Sequence, residues 1–230
     1  MPGTGDGLER QVSLPAAGVT LDGTLGLPAD ARGMVLFAHG SGSSRFSPRN
    51  RYVARVLRDA GLATLLVDLL SPGEEEVDMA TRHLRFDIGL LAERLVVGLD
   101  WLAHEPSTRA LPVGLFGAST GGGAALVAAA RRPDAVSAVV SRGGRPDLAG
   151  EALPQVRAPT LLVVGGHDEA VIELNRQAMR RIRGEVHLEI VPGASHLFEE
   201  PGTLEEVAAL ARDWLLRHLP TLDHALTRRQ

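Results

Sequence analysis

The chain has 230 residues, of which 44% are hydrophobic and 23% charged, and a net charge of −4; this composition suits a soluble α/β domain large enough to bury a core without disulfides or metals. Cysteine is absent, which excludes disulfides, thiolate metal sites and a cysteine nucleophile. All 24 basic residues are arginine, so lysine bases and Schiff-base chemistry are excluded, and without a basic half there is no electrostatic case for nucleic-acid binding.

Residues 1–10 are Gly-rich and acidic, with neither the basic start nor the apolar run of a secretory signal. No stretch approaches the roughly 18 continuous apolar residues of a membrane span, so a cytoplasmic protein without membrane contact is expected. Gln11 to Leu14 and Val19 to Leu27 read as an antiparallel pair turned at Pro15 to Gly18. Met34 to Ala38 is a short buried strand. Pro48 to Ala60 has helical spacing and stops at Gly61. Leu62 to Val67 is the next strand, and Met79 to His104 reads as one long helix. Strand Val113 to Phe116 leads into a small-residue helix, Ser119 to Ala130. Strands follow at Val136 to Val140, Thr160 to Val164 and Val186 to Val191, with a helix over Ile172 to Ile182. An amphipathic helix, Leu204 to Leu219, closes the chain. Residues 1–230 are expected to form one domain, with 1–9 and 221–230 frayed.

Short strands alternating with helices imply parallel βαβ units and a sheet covered on both faces. Ligands of such sheets bind outside the carboxyl ends of the strands. The residues capable of chemistry concentrate there. Strand Val113 to Phe116 runs into Gly117-Ala118-Ser119-Thr120-Gly121, which is the strand, G-x-S-x-G, helix context of a nucleophile elbow. That turn projects Ser119 Oγ at a helix N-terminus, where free amides and the helix dipole favour developing negative charge.

A serine needs a base to attack. In this arrangement the partners follow in the order serine, acid, histidine. Asp168 lies just past one strand and His196 just past the next. His196 would take the Ser119 proton, and Asp168 would hold the His196 tautomer and stabilise the imidazolium. Glu169 is a rival acid and Asp68, at another strand end, a further one. Asp168 could also serve only as a helix N-cap. The loop His39-Gly40-Ser41-Gly42 follows the strand that supplies a second oxyanion donor in such folds. The donors are assigned to the backbone amides of Ser41 and Thr120, and His39 itself to a structural role bonded to backbone.

The chain resembles the α/β-hydrolase superfamily over nearly its whole length, and within it the bacterial dienelactone hydrolase-like branch. The likeness rests on His39-Gly40-Ser41-Gly42, Ser44-Arg45 with Pro48-Arg49-Asn50, the Gly117 to Gly121 elbow, Gly165-x-x-Asp168 and Ser195-His196. It implies a mostly parallel sheet of about eight strands with helices on both faces. Dienelactone hydrolases proper use cysteine where this chain has Ser119, so the resemblance implies a serine esterase.

Lids of this superfamily enter between the strands near Val140 and Leu161; here residues 141–159 are too short for a cap domain, which predicts an open cleft for small or exposed esters. Arg45 and Arg142, with Arg49 and Arg145 nearby, could hold a substrate carboxylate. His83, His104, His187, His218 and His224 lack ligand spacing, so no metal is expected. No dinucleotide or phosphate-loop motif is present, so no cofactor is implied. The expected function is ester hydrolysis through an acyl-serine, with a small-molecule ester as substrate and neither nucleic acid nor membrane as partner. A lactonase, an acyltransferase and a catalytically silent binding scaffold are the alternatives.

Overall fold

The computed structural model describes residues 9–219. The fraying expected of 1–8 and 221–230 lies outside them. Glu9, expected to fray, instead begins strand β1 (Glu9–Ala16), which pairs antiparallel with β2 (Val19–Gly26). The remaining strands are β3 (Met34–Ala38), β4 (Ala63–Val67), β5 (Val113–Ala118), β6 (Ala138–Arg142), β7 (Thr160–Gly165) and β8 (Val186–Val191). They form one eight-stranded sheet in the order β1-β2-β4-β3-β5-β6-β7-β8. From β4 to β8 every pairing is parallel. The carboxyl ends of β3, β5, β6, β7 and β8 therefore share one edge, and that edge assembles the site.

Alternation along the strands splits the core into two layers. Leu36, Leu65, Leu115 and Val139 face one layer, with Leu95 and Leu99 of α3 (Ile88–His104) and Ala124 and Ala128 of α4 (Thr120–Arg131). Val35, Phe37, Phe116 and Val140 face the other, with Val53 and Leu57 of α1 (Pro48–Asp59) and Val207, Ala211 and Trp214 of α6 (Thr203–His218). Phe37 and Phe116 stack at 4.8 Å between ring centres. The all-small start of α4 lets it lie close to the sheet.

The single long helix expected from Met79 to His104 is two helices. α2 (Pro72–Thr81) ends where Arg82 turns left-handed at φ 56°. A short 3-10 turn, Leu84–Phe86, follows, and α3 starts afresh with the Asp87 carboxylate accepting from the Leu90 amide at 3.0 Å. α2 opens with a capping box, Ser71 accepting from the Glu74 amide while Glu74 accepts from the Ser71 amide, and Pro72 sits in its first turn. That Ser-Pro-x-Glu signal was available in the sequence.

Strand β6 runs two residues further than expected, so Arg142 belongs to the strand rather than to the loop beyond it. Residues 143–159 hold a 3-10 segment, Pro146–Gln155, packed on α4 and beside α5 (Glu169–Met179). No cap domain rises from this connection, as its length predicts.

Candidate active site

Ser119 stands between β5 and α4 with φ 51° and ψ −121°. A positive φ at a residue with a side chain costs ~1–3 kcal/mol and persists only where the surroundings enforce it. Here the enforcement is steric. A Cβ on Gly117 would sit 2.4 Å from the Gly121 carbonyl oxygen, and one on Gly121 would sit 2.4 Å from the Ala38 carbonyl oxygen. Ser119 is also held by its own backbone, its amide donating to Arg142 O at 3.2 Å and its carbonyl accepting from Arg145 N at 3.0 Å.

Asp168 follows β7 at the start of α5, yet its side chain makes no cap hydrogen bond. Its Oδ2 instead accepts from His196 Nδ1 at 2.5 Å. The bond goes to Asp168 and not to Glu169. The rival Asp68 is engaged elsewhere, accepting from the Arg45 amide at 2.6 Å and from the Arg45 guanidinium. His196 is bonded through Nδ1, leaving Nε2 as the nitrogen available to a substrate or nucleophile. The His196 ring lies against the turn after β6: Cε1 would be 3.6 Å from a Cβ on Gly143, the residue after the one that accepts the Ser119 amide. Ser119 Oγ and His196 Nε2 are not hydrogen-bonded in this conformation, a contact that commonly tightens only with substrate bound.

The His196 loop has its own supports, which the sequence reading missed. The Ser195 amide donates to Glu200 Oε2 at 2.9 Å. That bond, first among its contacts, holds the Glu200 carboxyl below the usual carboxylate range. A Cβ on Gly165 would meet Ser195 O at 2.4 Å, so glycine lets the histidine loop settle onto the end of β7. Asn175, buried in α5, donates to Gly144 O at 3.1 Å and pins the neighbouring turn.

Ser41 and Thr120 lie side by side. Their hydroxyl oxygens are 3.0 Å apart. Thr120 is the first residue of α4, where a helix amide has no partner within the helix. The Ser41 amide makes none of the loop's backbone hydrogen bonds. A Cβ on Gly40 would lie 3.2 Å from Ser119 Cβ, so the loop backbone passes directly beside the serine.

His39 is structural in the expected way. Nε2 accepts from the Leu69 amide at 3.0 Å and Nδ1 donates to Gly40 O at 3.0 Å, which defines a neutral ring. Burial pushes its pKa down, only partly opposed by the Gly40 bond and by Asp68 and Glu75. Below about pH 6.5 the unfolded chain protonates this histidine and the folded chain resists, so stability falls as pH drops from there toward the lowered folded value. His218, also lowered by burial, adds a contribution of the same sign. Thermal melts at pH 7.5 and 5.5 are expected to show a smaller loss in His39→Gln than in wild type, by ~2–4 °C for each ~1 kcal/mol removed. An equal loss in both proteins would assign the pH dependence elsewhere.

The two arginines expected to contact substrate are placed differently. Arg45 pairs with Asp68, lies 3.8 Å from Asp22, and its guanidinium stacks 4.3 Å from the Phe46 ring centre. Arg142 is 7% exposed, with its guanidinium 6.0 Å from the Phe198 ring centre. Burial, and then Arg49, pushes its pKa down to about 10. Neither lines the cleft beside Ser41. That cleft, of about 560 Å³, runs between the His39–Ser44 loop with Phe46, Ser47 and Pro48 on one side and Leu70, α2, Arg85 and Leu91 on the other. Among the described residues no group of three or more His, Cys, Asp or Glu could hold a metal, and no helix is long and apolar enough to cross a membrane.

A G-x-S-x-G turn after β5, with an acid after β7 and a histidine after β8 on this strand order, fits an α/β-hydrolase fold. The dienelactone hydrolase family model matches residues 21–226, and the chain belongs to that family. The crystal structure of a dienelactone hydrolase from Anabaena variabilis is similar at 63% identity and a TM-score of 0.92, over 94% of this chain and 100% of that one. A cold-adapted esterase from an Arctic intertidal metagenomic library shares the fold at 20% identity and a TM-score of 0.75, covering 92% of this chain and 94% of that one. A Mycobacterium tuberculosis H37Rv protein, provisionally named a phosphoribosyl transferase, is 60% identical over 211 residues. That match takes in 92% of this chain and 47% of the relative, so the chain spans about half the length of the curated relatives it matches.

Proposed function

We propose that the protein is a serine hydrolase of carboxylic esters. The observation that carries this is the 2.5 Å bond between His196 Nδ1 and Asp168 Oδ2, at the strand ends flanking a strained Ser119. Ser119 Oγ attacks the ester carbonyl carbon and passes its proton to His196 Nε2. The carbonyl oxygen, now negative, accepts from the Ser41 and Thr120 amides. The bond to the alkoxy oxygen breaks, and the alcohol leaves with the proton from Nε2. Water then attacks the acyl-serine, gives its proton to Nε2, and Ser119 departs with it. Asp168 stays ionised and holds the ring.

The serine directs the reading to esters rather than to the family's cysteine chemistry. This site supports acyl transfer and not the phosphoribosyl transfer named for the longer M. tuberculosis relative. Hydrolysis of p-nitrophenyl acetate with and without an added alcohol tests the reading: free acetate as the main product is expected in both. Transfer to the alcohol as the dominant outcome would make the enzyme an acyltransferase, and no release of p-nitrophenol would refute it.

A further inference from the structure

Resting on that reading, we propose that the cleft beside Ser41 is the acyl pocket, and that it selects an uncharged apolar acyl group over one bearing a free carboxylate. The leaving alcohol must reach His196 Nε2 for its proton, so it leaves on the side of the 194–198 loop. None of that loop lines the cleft. Ser41, a proposed oxyanion donor, does line it, while Ser119 and Thr120 stand just outside the lining, so in this proposal a carbonyl held by the Ser41 amide turns its acyl side toward the cleft. The cleft volume, about 560 Å³, falls within the ~300–1,000 Å³ of small-molecule pockets.

Its walls are apolar where an acyl chain would lie. Leu70 and Leu91 are buried in its floor, and Phe46 and Met79 stand at its mouth, 56% and 70% exposed. Large apolar side chains left in water beside a concave site mark a ligand surface. Val77 and Phe86, also exposed, lie on the same α2 and 3-10 segment.

Its charges oppose an anion. The titratable and charged groups lining it are His39, Glu75, Asp78 and Arg85. Arg85 is spent on Asp78, which accepts its Nε at 2.5 Å and its amide at 3.0 Å. Burial alone would raise the Asp78 carboxyl, but these bonds outweigh it and keep it below its ordinary value. His39 is neutral. Arg45, behind Phe46, is offset by Asp68 and Asp22. Glu75 is left unbalanced, so the cleft carries a net negative charge. A substrate carboxylate would meet it with no unpaired cation among the residues that line the cleft.

The test compares kcat/KM for three p-nitrophenyl esters: acetate, hexanoate and the singly charged glutarate, with methyl glutarate as the neutral match for the last. Wild type is expected to prefer hexanoate to acetate, and methyl glutarate to glutarate by about tenfold or more. Met79→Ser and Phe46→Ser are expected to cut the hexanoate-to-acetate ratio, each by up to about tenfold. Val77→Ser, exposed but not lining the cleft, should keep the wild-type ratio. Glu75→Gln should narrow the preference for the neutral diester by about threefold, the scale of an exposed charge. A wild-type preference for the glutarate half-ester overturns the proposal, as do unchanged chain-length ratios in both cleft variants. The wild-type comparison stands even if a variant does not fold. Failure of the esterase reading looks different: no ester of the panel is turned over at all.

Discussion

Ser119→Ala is expected to lower ester turnover by ~10⁴-fold or more while leaving the thermal midpoint close to wild type. On the proposed mechanism no other group can take over the covalent step, and where three such groups act as a unit, removing the attacking atom costs about as much as removing the whole set. The stability expectation comes from the structure. Ser119 makes no side-chain hydrogen bond at its cap position, so removing Oγ orphans nothing. Alanine keeps the Cβ, and therefore keeps the same strained φ of 51°. The change is thus confined to chemistry. Circular dichroism and a melt establish the fold, and p-nitrophenol release measures the loss. A variant retaining more than a few per cent of wild-type turnover would place the nucleophile elsewhere.

Gly121→Ala is expected to damage both fold and activity. The added Cβ would sit 2.4 Å from Ala38 O and 2.6 Å from His39 O, both backbone atoms at the end of β3. No flexible side chain can yield, so either α4 or the end of β3 must shift. Overpacking of this kind costs ~1–3 kcal/mol and sometimes more. The displaced elements carry the Thr120 and Ser41 amides, so a shift approaching 1 Å would also reduce kcat by ~10²-fold. Gly73→Ala is the control, since a Cβ there meets nothing within 4 Å. Comparable melts and rates for the two variants would contradict the close-packed elbow.

Much of this was readable because it depends on local pattern. The apolar and β-branched runs placed β3, which is fully buried, and β8, which is largely exposed, to the residue. That Ser119, Asp168 and His196 stand at strand ends, after β5, β7 and β8, was legible in the sequence. The break at Arg82 was not, because a left-handed turn at arginine has no compositional signature, whereas one at glycine would have been suspected. The partners of the arginines were hidden for a different reason. A sequence places Arg45 and Arg142 at the active edge but says nothing of Asp68 closing on one or Phe198 covering the other. Pairing between distant segments decides whether a cation is free for substrate. Glu200 and Asn175 escaped notice likewise, since their work is done on the backbone of other segments.

The most direct measurement is the site and stoichiometry of a fluorophosphonate adduct, read by intact mass and peptide mapping. One adduct per chain is expected, on the peptide containing Ser119, absent in Ser119→Ala and much slower to form in His196→Ala. An unlabelled wild-type protein, or an adduct mapped to any other residue, would contradict Ser119 as a nucleophile activated by His196 and Asp168.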